Sequence, residues 1–112
     1  MPDARIGMAV AQLHEFLPRQ PGRIFILSKD PNGYAALRTR YHLLPYRVYT
    51  ADRLPKQEQI QEGDQILVLA NQNEIRYDVT KNQLISRNAS LSVEPVGKVP
   101  GFGDLYRLPG GN

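Results

Sequence analysis

The stretch from Arg23 to Tyr49, RIFILSKDPNGYAALRTRYHLLPYRVY, constrains the fold of this chain more than any other. It opens on an apolar run, Ile24-Phe25-Ile26-Leu27, whose β-branched and aromatic content favours a buried strand. Ser28-Lys29-Asp30-Pro31 then punctuates the chain, with Asp30 placed to cap a helix and Pro31 to take its first position. Apolar residues recur at helical spacing through Tyr34, Leu37, Tyr41 and Leu44, which read as the inward stripe, until Pro45 stops the run. A second strand over Tyr46–Thr50 follows. Strand, helix and strand joined by short connections make a right-handed crossover, the unit from which parallel α/β sheets are built.

The flanking segments fit around that unit. Ile6, Val10, Leu13 and Leu17 share one face of an amphipathic N-terminal helix over Asp3–Leu17, capped by Asp3 and ended by Pro18. Arg19-Gln20-Pro21-Gly22 reads as a turn into the first strand. After the second strand, residues 51–62 are polar and broken by Pro55, a loop with room for one helical turn. Gln65–Ala70 is a continuous apolar run of the kind found in a central parallel strand covered on both faces.

From Asn71 the pattern changes. Ile75, Tyr77 and Val79 alternate, Thr80-Lys81-Asn82 turns, and Leu84-Ile85 resumes, which reads as a hairpin or a short helix over 77–85. Leu91, Val93 and Val96 alternate again, Pro95 marks an edge, Leu105–Leu108 is a last strand, and Gly110–Asn112 reads as a frayed tail. The expectation is one three-layer α/β domain. Its parallel sheet comes from Ile24–Ser28, Tyr46–Thr50 and Gln65–Ala70, extended by antiparallel C-terminal strands. Leu27 should lie beside Val68, roofed by the ridge of Tyr34, Leu37 and Tyr41.

The 112 residues suffice for one core. The chain has no Cys, which excludes disulfides and thiolate chemistry, and no apolar run approaches the ~20 residues of a membrane span. No basic start followed by an apolar core marks a signal peptide. The net charge of +3 arises in the first half, and three Arg with no acid lie between Asp30 and Asp52. Basic residues with interleaved stacking aromatics do not form a stripe, so nucleic acid is not expected as a partner. Binding through Arg38, Arg40 and Arg47 is the corresponding alternative.

Reactive constellations are lacking. His14 and His42 sit on different helices without metal-ligand spacing, and no paired carboxylates or G-x-S-x-G elbow occur. No catalytic residue, metal or cofactor is therefore expected. Ser28–Gly33 precedes a helix N-terminus, where backbone N–H groups can hold an anion. Yet S-K-D-P-N-G matches no phosphate-binding motif, Pro31 removes a donor, and Asp30 would repel a phosphate. The segment reads first as structural. A small-anion or nucleotide-like ligand at Ser28, Asn32 and Gly33, with help from Arg38, is the alternative. Tyr and Arg are enriched at interaction surfaces, and Arg40, Tyr46 and Arg47 are the candidates for one here.

Tyr34–Tyr49, Y-A-A-L-R-T-R-Y-H-L-L-P-Y-R-V-Y, resembles a phrase met in bacterial multi-spanning membrane proteins. These include polytopic glycosyltransferase-like proteins of the dolichyl-phosphate-mannose transferase type. The resemblance rests on Leu37-Arg38, Arg40-Tyr41, Leu44-Pro45 and Leu105-Tyr106-Arg107, and covers most of residues 3–108 in order of elements. It implies an extracytoplasmic domain excised from a longer membrane-anchored protein, with the membrane-embedded part or a membrane partner beside it. Catalytic acids of such transferases lie in loops between spans and have no counterpart here. The implied role is that of a non-catalytic accessory domain. The alternative is the soluble part of a membrane glycosyltransferase, contributing to substrate recognition.

Overall fold

The computed structural model describes residues 3–17, 22–87 and 89–109. In chain order it contains helix α1 (Asp3–Leu13), strand β1 (Arg23–Leu27), helix α2 (Tyr34–His42) and strand β2 (Arg47–Ala51). A 3-10 turn (Gln57–Gln59) precedes β3 (Gln65–Leu69), β4 (Arg76–Asp78) and β5 (Gln83–Ser86). The chain continues through β6 (Ala89–Ser92), β7 (Glu94–Val99) and β8 (Gly103–Arg107). Five strands form a mixed sheet in the order β2-β1-β3-β8-β7, and three form an antiparallel sheet in the order β4-β5-β6. The expected turn at residues 19–21, the stop at Pro18 and the tail 110–112 lie outside the described residues.

The parallel part of the large sheet is β2-β1-β3, with β1 paired to both neighbours. β8 adds antiparallel to β3, and β7 closes the far edge with a register shift between Pro95 and Gly97. Proline donates no ladder hydrogen bond, so an edge is where it is tolerated. Every residue of β3 is buried. Leu27 and Val68 are register partners across β1 and β3.

Alternation along the strands sorts the core onto two faces. Ile24, Ile26, Leu67, Leu69 and Leu105 pack with Ile6, Val10 and Leu13 of α1 and with Ala36 and Leu43. Leu27, Ile66, Val68 and Tyr106 point the other way and pack with Leu84, Leu91 and Val93. Leu27 and Val68 therefore lie against the small sheet, not under the α2 ridge expected to roof them.

Two further helix expectations are corrected. α1 ends at Leu13, four residues early, because Glu15 and Phe16 donate to carbonyls three residues back and tighten the last turn. α2 begins at Tyr34 with Gly33 at its N-cap, so Asp30 and Pro31 form a turn ahead of the helix. That turn is closed by Gly33 N–H donating to the Asp30 carbonyl at 3.0 Å.

The larger correction concerns which side of α2 faces in. Ala36, Thr39 and Leu43 are fully buried, whereas Tyr34, Leu37, Tyr41 and Leu44 are 55, 43, 58 and 61% exposed. Two stripes at helical spacing run along this segment, and the one with small side chains faces the sheet. Thr39 satisfies its buried hydroxyl by donating to the Ala35 carbonyl one turn back, at 2.6 Å. The residues 76–86 form the β4-β5 hairpin, not the alternative short helix, and a second hairpin joins β5 to β6.

Candidate functional site

β1 delivers Ser28 to its carboxyl end, where the hydroxyl is fully buried. Its Oγ stands 3.2 Å from both Asn71 Oδ1 and the Asp30 carbonyl, and donates its one proton to either of them. It also lies within acceptor distance of Asn71 Nδ2 at 3.1 Å and of the Asp30 N–H at 3.2 Å. Asn71 Oδ1 further accepts from the Lys29 N–H at 3.3 Å. Ser28 and Asn71 thus latch the ends of two adjacent parallel strands. Neither Asn nor a carbonyl removes the proton from a hydroxyl, so this contact set does not activate Ser28 as a nucleophile.

The other residues near this turn do different things. Asn32 is exposed. At Gly33 a Cβ would stand 2.5 Å from Asp30 Oδ2, which places the Asp30 carboxylate against the first turn of α2. Negative charge there is favoured by the helix dipole and opposes a second anion. Arg38 lies further along α2, its guanidinium carbon 4.6 Å from the Tyr41 ring centroid. Arg40 and Arg47 are exposed, whereas Tyr46, grouped with them in sequence, is buried among the helix-side core residues.

The outer side of α2 is therefore an apolar and aromatic stripe, Tyr34, Leu37, Tyr41 and Leu44, edged by Arg38 and Arg40. The stripe continues past the helix end into the turn whose Leu44–Pro45 peptide is cis. No acid occurs anywhere from residue 31 to 51. His42 stacks edge-on against Tyr41, and His14, just past the end of α1, stands beside Tyr46 in the turn before β2. Among the described residues no three His, Asp or Glu side chains gather, and no helix is long and apolar enough to cross a membrane.

Two features escaped the reading of the residues. Asn71 sits immediately after the most apolar run in the chain, and a polar residue at that strand end was the available signal. The second is a tyrosine pair between the sheets. Tyr77 and Tyr106 stand 5.3 Å apart by ring centroid, beside a cavity of about 350 Å³ that Lys98 and Asp104 also border. Burial first, then the charges of Asp104 and Tyr77, push the Tyr106 hydroxyl up to about 12. That hydroxyl stays protonated at neutral pH and can serve there only as a neutral hydrogen-bonding group.

No family model matches the chain, and no curated protein or solved structure matches it either.

Proposed function

We propose that this chain is a non-catalytic accessory domain of a bacterial membrane protein, standing on the extracytoplasmic side with the outer face of α2 against anionic lipid headgroups. In this reading the two sheets and the helix pair form a three-layer scaffold that holds the face rigid. The carrying observation is that three large apolar or aromatic side chains project outward from α2, and Leu44 from the turn after it, while Ala36 and Thr39 face the sheet. Tyrosine favours the headgroup level of a bilayer, where its ring meets hydrocarbon and its hydroxyl stays wet. Leucines at that depth lose water contact, and each nearby Arg adds about 1 kcal/mol of attraction to an anionic surface. The acid-free run around Arg38, Arg40 and Arg47 gives the face the required sign. The resemblance of Tyr34–Tyr49 to soluble parts of polytopic membrane proteins supports the same assignment.

Co-sedimentation with vesicles tests it. Binding is expected to equimolar phosphatidylglycerol and phosphatidylcholine, and to weaken as salt is raised. Leu37→Asp/Leu44→Asp should abolish it, and Arg40→Glu/Arg47→Glu should reduce it by at least about 30-fold, from the loss of two such attractions. Binding that is unaffected by both double variants overturns the reading. So does a concentration-dependent dimer broken by Leu44→Asp, because a second copy would then cover this face.

A further inference from the structure

A second surface lies on the opposite face of the large sheet, at its β2 edge. Phe25 on β1 and Tyr49 on β2 are register partners, and their rings stack with centroids 5.5 Å apart and planes inclined by 26°. The segment from Asp52 to Gln59 passes beside them. It is pinned by the buried Leu54 and by Gln72 Nε2, which donates to the Asp52 carbonyl at 2.9 Å. Between this segment and the ring pair is a cavity of about 590 Å³, bordered by Arg23, Phe25, Tyr49, Arg53, Lys56 and the apolar Leu54. Small-molecule sites commonly enclose about 300–1,000 Å³. Tyr49 remains 47% exposed despite its stacking partner, so the pair presents an unfilled aromatic surface.

The charges around the cavity differ in availability. Arg23 is committed: it donates to both carboxylate oxygens of Asp64 and to the Gln59 carbonyl, with its guanidinium carbon 5.2 Å from the Phe25 centroid. It fixes the wall and contributes little net charge. Among the described residues Arg53 pairs only with the adjacent Asp52, at 3.3 Å between side chains 84 and 53% exposed. Such an exposed pair contributes little and exchanges readily for a better anion. Lys56 makes no ion pair among the described residues. The lining is thus aromatic at its floor and carries about one uncompensated positive charge at its rim.

We infer that this cavity binds a planar aromatic molecule bearing an anionic group, its ring laid on the Phe25–Tyr49 pair and its anion held by Lys56 and Arg53. An added ring gains stabilisation beyond its burial when it continues an offset stack. The anion replaces Asp52 as the partner of Arg53 and gives Lys56 one. An aliphatic anion meets only the second demand and a neutral ring only the first. A nucleoside monophosphate and an aryl carboxylate share this chemistry.

Side-chain and amide NMR of the whole chain, titrated with adenosine monophosphate and separately with 1-naphthoate, distinguishes these sources. Adenosine and inorganic phosphate serve as the controls. At least one aromatic anion at millimolar concentration is expected to shift the Phe25 and Tyr49 ring signals and the amides of Arg53–Gln59. Adenosine and phosphate should each act about tenfold more weakly. Lys56→Glu should weaken binding about tenfold, and Tyr49→Ala, at an exposed position, should remove it without unfolding the chain. The inference fails if neither aromatic anion shifts these signals, or if phosphate alone matches them. It fails equally if Lys56→Glu and Tyr49→Ala bind as the parent does. All of these positions lie off α2, so vesicle binding is a separate readout.

Discussion

Arg23 and Asp64 join the first residue of β1 to the residue just before β3 through a two-point ion pair. Arg23 Nε donates to Asp64 Oδ1 at 2.9 Å, Nη2 donates to Oδ2, and Oδ2 also accepts from the Gln61 N–H at 2.8 Å. The Asp64 side chain is only 4% exposed. Its hydrogen bond holds the Arg23 guanidinium above its ordinary pKa, against the opposing effect of burial. Removing one partner of such a pair leaves the other uncompensated, which is costlier than never having had the pair. Asp64→Ala is accordingly expected to lower unfolding free energy by about 3 kcal/mol in urea denaturation. Arg23→Met/Asp64→Leu should recover part of that loss. A single-variant cost under about 0.5 kcal/mol would mean that the pair behaves as an exposed one.

Leu43 and Leu44 are chain neighbours with opposite environments, fully buried and 61% exposed. Leu43→Ala should cost about 2–5 kcal/mol, because it empties a site between α1, α2 and the sheet. Leu44→Ala should stay within about 0.5 kcal/mol, as surface substitutions do. Equal costs would show that the turn at Leu44–Pro45 packs differently in solution. Thermal or urea unfolding of the two variants side by side reads this directly.

The same pair shows what was legible in the residues and what was not. The large sheet was readable because its strands are short apolar runs bounded by turn residues, and Gln65–Leu69 is apolar enough to demand cover on both sides. The adjacency of Leu27 and Val68 followed from that. The orientation of α2 did not, because a hydrophobic reading weights large side chains over small ones. Ala36 and Thr39 are weak signals alone, yet small residues let a helix approach a sheet closely. Ser28 was recognisable as a strand end, but its partner Asn71 is 43 residues away. The Phe25–Tyr49 surface depends on the β1–β2 register, which an apolar run of this kind leaves open on both faces.

Gly103 occupies the start of β8, opposite Leu69. A Cβ there would stand 2.7 Å from the Val68 carbonyl oxygen and 3.3 Å from Leu67 Cδ1. The first neighbour is backbone in the centre of the large sheet and cannot swing aside. Gly103→Ala is expected to cost about 1–3 kcal/mol through forced separation of β3 and β8. Hydrogen exchange should then quicken at the amides of both strands. An unchanged exchange pattern with unchanged stability would show that the strands tolerate a wider spacing.

Tyr106 supplies the pH dependence. Its hydroxyl is raised from 10.0 to about 12, by burial first and then by Asp104 and Tyr77. The neutral form is favoured in the folded chain, so the folded state binds the proton more tightly than the unfolded state does. The stability this contributes is complete below pH 10 and is lost as pH rises towards about 12, when the phenolate must be accommodated beside Asp104. In ultraviolet titration compared with Tyr106→Phe, Tyr106 should ionise late, together with the loss of folded structure. Tyr106→Phe has no proton to release, so its unfolding free energy should fall less steeply between pH 10 and 12. Asp104→Asn removes the larger of the two charge effects and should move the late ionisation down, leaving the shift set by burial and Tyr77. If Tyr106 ionises near pH 10 while the chain stays folded, it is reached by water and the packing between the two sheets is looser than described.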